Sequence, residues 1–407
     1  MIQNCDVLII GGGPAGSIAA VKLLKAGHSV TLIEKISFPR FVIGESLLPR
    51  CNQLLEEAGL LDVIAAAGFK FKGGVAFRNE DNALKIVDFK DNLGQKHNSS
   101  FQVRRETFDH LLLKEAEKLG ANVIMEAEVT AYDPKENTIE VRNKAQEMTV
   151  YRAKKVIDAS GYGRVLPRLL NLELPSSLAP RNAIFCRMEH DKRTPDQPEG
   201  YIYVYVVGDN DAWIWNIPLS DSVTSVGIVS SDTYFESFSL PLEDFFDHTI
   251  RNNTHAKERY AEAQKINTVG YIGGYSSKVK NMFGEKFVMV GNATEFLDPV
   301  FSSGVTLALE SGSKAADLII REFQGKRIDW QVEYEDYMMV GVNVFKAYVE
   351  AWYDGRLQSI LFSKKETVEK IEQKIVSVLS GYVWDEKNMF VHSPEASIDA
   401  IYALLKN

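Results

Sequence analysis

The chain has 407 residues, enough for two or three domains or subdomains with a large core. Its 45% hydrophobic and 25% charged residues are ordinary for a soluble globular enzyme, and a formal net charge of −9 argues against nucleic acid as a partner. Cys5, Cys51 and Cys186 are scattered and odd in number, so they define neither a disulfide framework nor a zinc site. No signal-like segment precedes the first apolar run and no run reaches membrane-spanning length, so cytoplasmic residence without a membrane span is the expectation.

The first apolar run, Asp6-Val-Leu-Ile-Ile10, leads directly into Gly11-Gly-Gly13-Pro14-Ala15-Gly16. A helix over 17–26 and a buried strand over 30–33 follow, and that strand ends in Glu34. Strand, glycine-rich turn, helix and acid-ended strand form the context that a dinucleotide fingerprint requires. Gly11 allows the tight turn, Gly13 lets backbone approach a pyrophosphate, and Gly16 lets helix and strand pack closely. The helix N-terminus offers N–H groups and a positive dipole end to phosphate. A carboxylate at Glu34 suits an unphosphorylated adenosine ribose, hence NAD or FAD over NADP.

Gly44-Glu45-Ser46 opens a stretch read as helix through about 58, with a short second helix over 60–67. Short strand-like runs occupy 73–103, and Phe108, Leu111, Leu112 and Ala116 mark a helix over 105–119. Residues 121–158 alternate like a strand meander, and residues 180–265 read as a second β-rich region containing the runs 202–207, 213–215 and 225–229. A strand over 287–291 returns to the nucleotide domain, a long helix covers 304–323, and the chain from about 331 is mostly helical with a polar tail. In a strand, Lys70 and Lys72 share one face with Phe69 and Phe71 opposite, and Trp213 and Trp215 share one face with Ile214 opposite.

This layout resembles the flavoprotein monooxygenase superfamily of the aromatic-hydroxylase type. The matching points are the fingerprint with Glu34, Arg105 and Asp109, the end of a strand at Asp158-Ala-Ser-Gly161, and the segment from Gly291 to Asp298-Pro299. Within that superfamily it resembles the flavin-dependent halogenases that act on phenols and pyrroles. Four segments carry this: Gly44-Glu45-Ser46, the stretch 68–77 around Lys72, Trp213-Ile-Trp215-Asn-Ile-Pro218, and Asp298-Pro-Val-Phe-Ser-Ser303-Gly304.

The resemblance implies an α/β fold: a Rossmann-like FAD-binding domain (1–75, 101–175 and 270–330), an inserted, mostly antiparallel substrate domain (76–100 and 176–269), and a C-terminal helical region (331–407). It places FAD against Gly11, Gly13, Pro14, Ala15, Gly16, Glu34, Lys35, Arg40, Glu45, Ser46, Arg105, Asp298 and Gly304, with Asp298 on the ribityl chain. It places halide on the backbone N–H groups of Ser303 and Gly304, and makes Lys72 the residue that delivers hypohalous acid. Trp213, Trp215 and Pro218 belong to the motif that discourages direct oxygen transfer from flavin to substrate. With no second dinucleotide fingerprint in the chain, reduced FAD is expected from a separate flavin reductase. Phe301 stands where tryptophan halogenases carry a glutamate, which points to an electron-rich phenol or pyrrole, free or carrier-protein bound. Asn292 replaces the superfamily's usual aspartate.

The residues alone leave blander readings open: a helix cap at Ser302-Ser303-Gly304, solvated lysines at 70 and 72, and an ordinary aromatic sheet core at 213–215. They also leave open a flavin hydroxylase, a prenyl-type double-bond reductase or a flavin-binding sensor. Seven histidines without HxxxH spacing give no metal-site pattern, and no Gly-x-Ser-x-Gly elbow is present.

Overall fold

The computed structural model describes residues 2–193 and 198–406. Its first sheet runs in the order Asn122–Ile124, Val30–Ile33, Ile2–Ile10, Met148–Asp158, with Phe287–Met289 parallel to the end of the last strand. Val7 to Ile10 and Val30 to Ile33 are buried on both faces, which is why these strands read as continuous apolar runs. The strand Met148–Asp158 serves two sets of neighbours. Its first half pairs antiparallel with Thr138–Asn143, and its last three residues pair with Phe287–Met289.

The fingerprint helix spans Pro14–Lys25, starting three residues before the expected point because proline suits the first helical position. A Cβ on Gly11, whose φ is +101°, would meet the Ala159 carbonyl oxygen at 2.4 Å. One on Gly16 would meet the Gly11 carbonyl oxygen at 2.1 Å. The turn is therefore wedged against the end of the strand Met148–Asp158. The long helix Ser303–Phe323 crosses the fingerprint helix at Gly312, where a Cβ would lie 2.2 Å from the Ala15 carbonyl oxygen.

The second sheet has eight strands and is mostly antiparallel. Its main path is Gln264–Lys265, Arg181–Glu189, Val223–Ser231, Ala212–Pro218, Ile202–Val207, Gly74–Arg78 and Leu84–Asp88, and Gly270–Gly273 also pairs with Arg181–Glu189. Only Ile202–Val207 and Gly74–Arg78 pair in parallel on this path. Trp213, Trp215 and Val204 face the main core, while Ile214, Tyr203 and Tyr205 pack with Phe245 and Phe246 on the other face. That second layer adds helices to the β-rich reading of 180–265. Helices Asp232–Ser237, Leu242–Asn252 and Thr254–Arg259 cover the sheet, and Phe245, Phe246, Thr249 and Ile250 form the buried stripe of the middle one.

Two other expectations change. The helix read from Gly44 begins at Pro49, because Glu45 and Leu47 pair by backbone hydrogen bonds with Val103 and Phe101. The polar tail is the helix Pro394–Lys406, anchored by buried Ile398 and Ile401.

Gly312→Ala gains about 1 kcal/mol of helix propensity. It also places a methyl against a backbone carbonyl that cannot swing aside, and overpacking of this kind costs about 1–3 kcal/mol. The expected outcome is a net loss of stability and weaker FAD retention, read by thermal melting with and without FAD.

Candidate active site

A cavity of about 590 Å³ opens at the C-terminal ends of the parallel strands. Gly11, Gly13, Pro14, Ala15, Glu34, Lys35, Arg40, Glu45, Ser46, Arg105 and Gly304 all contribute to its wall, as do Asn292, Trp213 and Trp215. Residues drawn from seven separate parts of the chain thus meet in one elongated space.

The fingerprint end is held by backbone. Glu34 accepts from the Gly12 and Ile36 N–H groups at 2.8 and 2.9 Å, which orients its carboxylate at the cavity edge. Arg105 donates to both Asp109 oxygens at 2.7 and 2.9 Å and to the carbonyls of Ile43 and Gly44. Arg40 reaches the same aspartate at 3.3 Å. Lys35 pairs with Glu128 at the rim. Asp158 is not in the wall; it accepts from Ser160 and Leu166 N–H and so fixes the turn that carries Ala159. The shape, the glycine cradle and the two guanidinium groups suit a dinucleotide with a pyrophosphate.

Glu45 is fully buried in the wall and receives the Arg187 guanidinium at 2.5 Å, which also binds Glu106 at 2.6 Å. Burial raises the Glu45 pKa even though Arg187 opposes the shift. The signal for Arg187 in the sequence is a cation inside the apolar run 183–188.

Trp213 and Trp215 lie 5.9 Å apart between ring centres and face the cavity. Trp215 donates to the Ser225 hydroxyl at 3.2 Å and lies flat over Gly227, its cross-strand partner, where a Cβ would come within 2.1 Å of the indole. Pro218 ends this strand outside the wall. The reading of a shared tryptophan face therefore matches the observed strand.

Asp298 is not among the residues that line the cavity. It is 3% exposed and accepts from Val300 N–H at 3.0 Å, Tyr275 OH at 3.0 Å and Tyr353 OH at 2.9 Å. Tyr353 in turn accepts from the Trp213 indole at 2.9 Å. Neither tyrosine is marked by any sequence motif. The helix Ser303–Phe323 follows Ser302, whose φ is +56°, and no side chain caps it. The first N–H groups of such a helix have no intrahelical acceptor. Ser302 and Gly304 line the cavity, whereas the Ser303 side chain is buried outside it.

The two lysines of the strand Lys70–Lys72 have different fates. Lys70 pairs with Glu199 and Asp221 at 2.6 and 2.7 Å. Lys72 is 1% exposed, donates to the Leu47 carbonyl at 2.8 Å and sits 5.2 Å from the Phe89 ring centre. Burial lowers its pKa to about 7. It occupies a separate chamber lined by Phe77, Phe89, Val300, Phe301 and Leu379, among others. Ile202 and Ser302 line both the chamber and the large cavity, so the two are neighbours across the segment that starts the long helix. The chamber's open volume of about 10 Å³ is close to the minimum for one water molecule. Among the described residues no cluster of His, Cys, Asp or Glu could hold a metal, and no helix is long and apolar enough to cross a membrane.

The profile of a family described as FAD binding domain matches residues 4–334. A 1H-pyrrole-2-carbonyl-[peptidyl-carrier protein] chlorinase from Pseudomonas fluorescens is 29% identical, over 96% of this chain and 92% of its own. A flavoprotein/dehydrogenase from Cytophaga hutchinsonii, known from its crystal structure, superposes with a TM-score of 0.95 at 37% identity, covering 99% of both chains. The myxobacterial chondrochloren halogenase, an FAD-dependent halogenase, superposes with a TM-score of 0.80 at 27% identity, over 99% of this chain and 97% of that one. The resemblance to flavin-dependent halogenases read from four short segments thus extends over essentially the whole chain.

The depressed Lys72 pKa has a thermodynamic consequence of definite sign. Between about 7 and the ordinary 10.5, the unfolded chain binds the proton that the folded chain has lost. Unfolding free energy of the wild type, relative to Lys72→Met, therefore rises with pH across that window and is flat below it. Urea denaturation of both proteins at pH 6, 7.5 and 9 checks this; a constant difference would place the amine in solvent.

Proposed function

Because the chain belongs to the FAD binding domain family and is an FAD-dependent enzyme of the oxidoreductase type, we propose that it halogenates an electron-rich phenol or pyrrole. One observation carries the reading: Lys72 is buried, with no carboxylate partner among the described residues, in a chamber that shares Ile202 and Ser302 with the large cavity.

Bound FAD, reduced by a separate flavin reductase, would supply with dioxygen the oxidising equivalents that convert halide to hypohalous acid. The protein's part begins with the anion. Backbone N–H groups of Ser303 and Gly304, at the positive end of a 21-residue helix, hold halide beside the cavity. Trp213, Trp215 and Ile217 line the same cavity and would keep bulk solvent and aromatic substrate away from the oxidant's source. The open space of the Lys72 chamber is near the minimum for one water molecule and excludes an aromatic ring, so only the small oxidant would reach the amine. There the amine either hydrogen-bonds the acid or exchanges N–H for N–halogen and releases water. A pKa of about 7 keeps both states of the amine accessible near neutral pH. The halogen then passes to the substrate ring, which loses a proton.

Phe301 contributes an apolar wall and no carboxylate, so nothing at that position orients a free amino acid. The carrier-tethered pyrrole acted on by the Pseudomonas relative has the required chemistry. A pyrrole carboxyl group held as a carrier thioester is the substrate class we favour, with a peptidyl-carrier protein as the partner.

The test supplies reduced FAD, dioxygen, bromide and a panel of phenols and carrier-bound pyrroles, with product mass spectra read for the bromine isotope pair. Brominated product is expected; hydroxylated product alone, or reduction of a substrate double bond, would overturn the proposal. Lys72→Ala should lower bromination by about 10²–10⁴-fold, the span of a lost acid–base group, with oxidation of reduced FAD unchanged.

A further inference from the structure

We infer that Tyr353 is a positioning residue that ties the Trp213 indole to the loop in front of the halide-holding helix. The inference rests on the proposed function, but its geometry is independent of it. Tyr353 is the last residue of the helix Tyr337–Tyr353, far from both partners in sequence. Its hydroxyl lies 2.9 Å from Trp213 Nε1 and 2.9 Å from Asp298 Oδ2.

The chemistry of the three groups fixes the direction of both bonds. An indole N–H can only donate, a hydroxyl has one proton to give, and the Tyr353 hydroxyl gives its proton to the Asp298 carboxyl oxygen. The hydroxyl must therefore accept from Trp213 and donate to Asp298, which uses its single proton. Neither phenylalanine nor an amine could hold both contacts. The ring is fixed as well, because the Arg181 guanidinium stacks 3.3 Å from its centre. Arg181 is itself anchored on the Asp211 carbonyl at 2.6 Å.

Asp298 completes the connection. Its other oxygen accepts from Val300 N–H at 3.0 Å, and Val300 precedes the left-handed Ser302 that begins the helix. Trp213, Tyr353, Asp298 and Val300 thus form one chain of hydrogen bonds between the tryptophan wall and the anion-binding turn. A shift at either end must move or break a buried bond. The same C-terminal helix carries Trp352 and Tyr348, whose rings meet Phe301 edge-on at 5.8 and 6.0 Å on the Lys72 side. One helix therefore sets the position of the tryptophan, the anion turn and a wall of the lysine chamber.

Tyr353→Phe keeps the stacked ring and deletes only the hydroxyl. Sodium bromide titrated into the oxidised FAD holoprotein, followed by flavin absorbance, gives a bromide Kd without turnover. We expect that Kd to weaken about tenfold, the size of one hydrogen bond to a charged partner, with the FAD Kd unchanged. In turnover, the bromide KM should rise by a similar factor while kcat changes little. Trp213→Phe should shift bromide in the same direction, and the double variant should lose no more than the larger single loss, because the residues act in series. An unchanged bromide Kd in Tyr353→Phe, losses that multiply in the double variant, or an equal weakening of FAD would each overturn the inference. A wild type that binds bromide but halogenates nothing overturns only the proposed function; one that binds no bromide overturns both.

Discussion

The site depends on the seating of one helix. Ser303–Phe323 can approach the fingerprint helix only because position 312 lacks a side chain, and from that crossing its first turn is aimed at the flavin cavity. Three other parts of the structure are tied to it. Ser311 Oγ accepts from Gly291 N–H at 2.8 Å, Thr306 Oγ1 meets Cys51 Sγ at 3.2 Å, and Glu310 joins Arg50 to Tyr337. These contacts reach the returning strand, the helix beneath the Lys72 chamber and the C-terminal region. A helix N-terminus binds anions only if it is held where the anion arrives, and these packing contacts hold it there.

How far the sequence could be read depends on the range of the forces involved. The fingerprint was legible because its turn, helix and acid interact within about thirty residues, and each residue type has a local reason. The tryptophan strand was legible for a similar reason, since alternation alone places Trp213 and Trp215 on one face. What the sequence hid is non-local. Gly227 looks like an ordinary strand residue until Trp215 is found lying on it from the neighbouring strand. Tyr275 and Tyr353 belong to no motif, yet they consume the carboxylate that the family resemblance had assigned to the ribityl chain. The helices over 232–259 were obscured because the apolar strands before them dominate the window, although Phe245, Phe246 and Ile250 carry helical spacing.

Charge is handled in two contrasting ways around the cavity. Where a carboxylate is fully buried, it has a guanidinium: Glu45 with Arg187, and Asp109 with Arg105 and Arg40. Leaving such a charge unpaired would cost several kcal/mol. These pairs hold the walls by linking separate segments of the chain. Asp298 is satisfied differently, by two hydroxyls and one backbone N–H, so its contacts come from three separate parts of the chain.

Lys72 departs from that pattern, and the departure is informative because Lys70 provides an internal control two residues away. Both side chains leave the same short strand on the same face. Burial lowers the pKa of each, but at Lys70 the hydrogen bonds to Asp221 and Glu199 outweigh it and the ammonium is held. At Lys72 the hydrogen bond goes to the Leu47 carbonyl, and no carboxylate among the described residues offsets the lost hydration. A lysine whose role was structural would be expected to have a carboxylate, as Lys70 has, or to extend its amine to water. An amine buried at a cost, with no countercharge among the described residues and beside the turn that starts the long helix, is what the proposed role in halogen delivery requires. The same apolar walls that make it unstable as an ammonium also keep water from competing for a small electrophile.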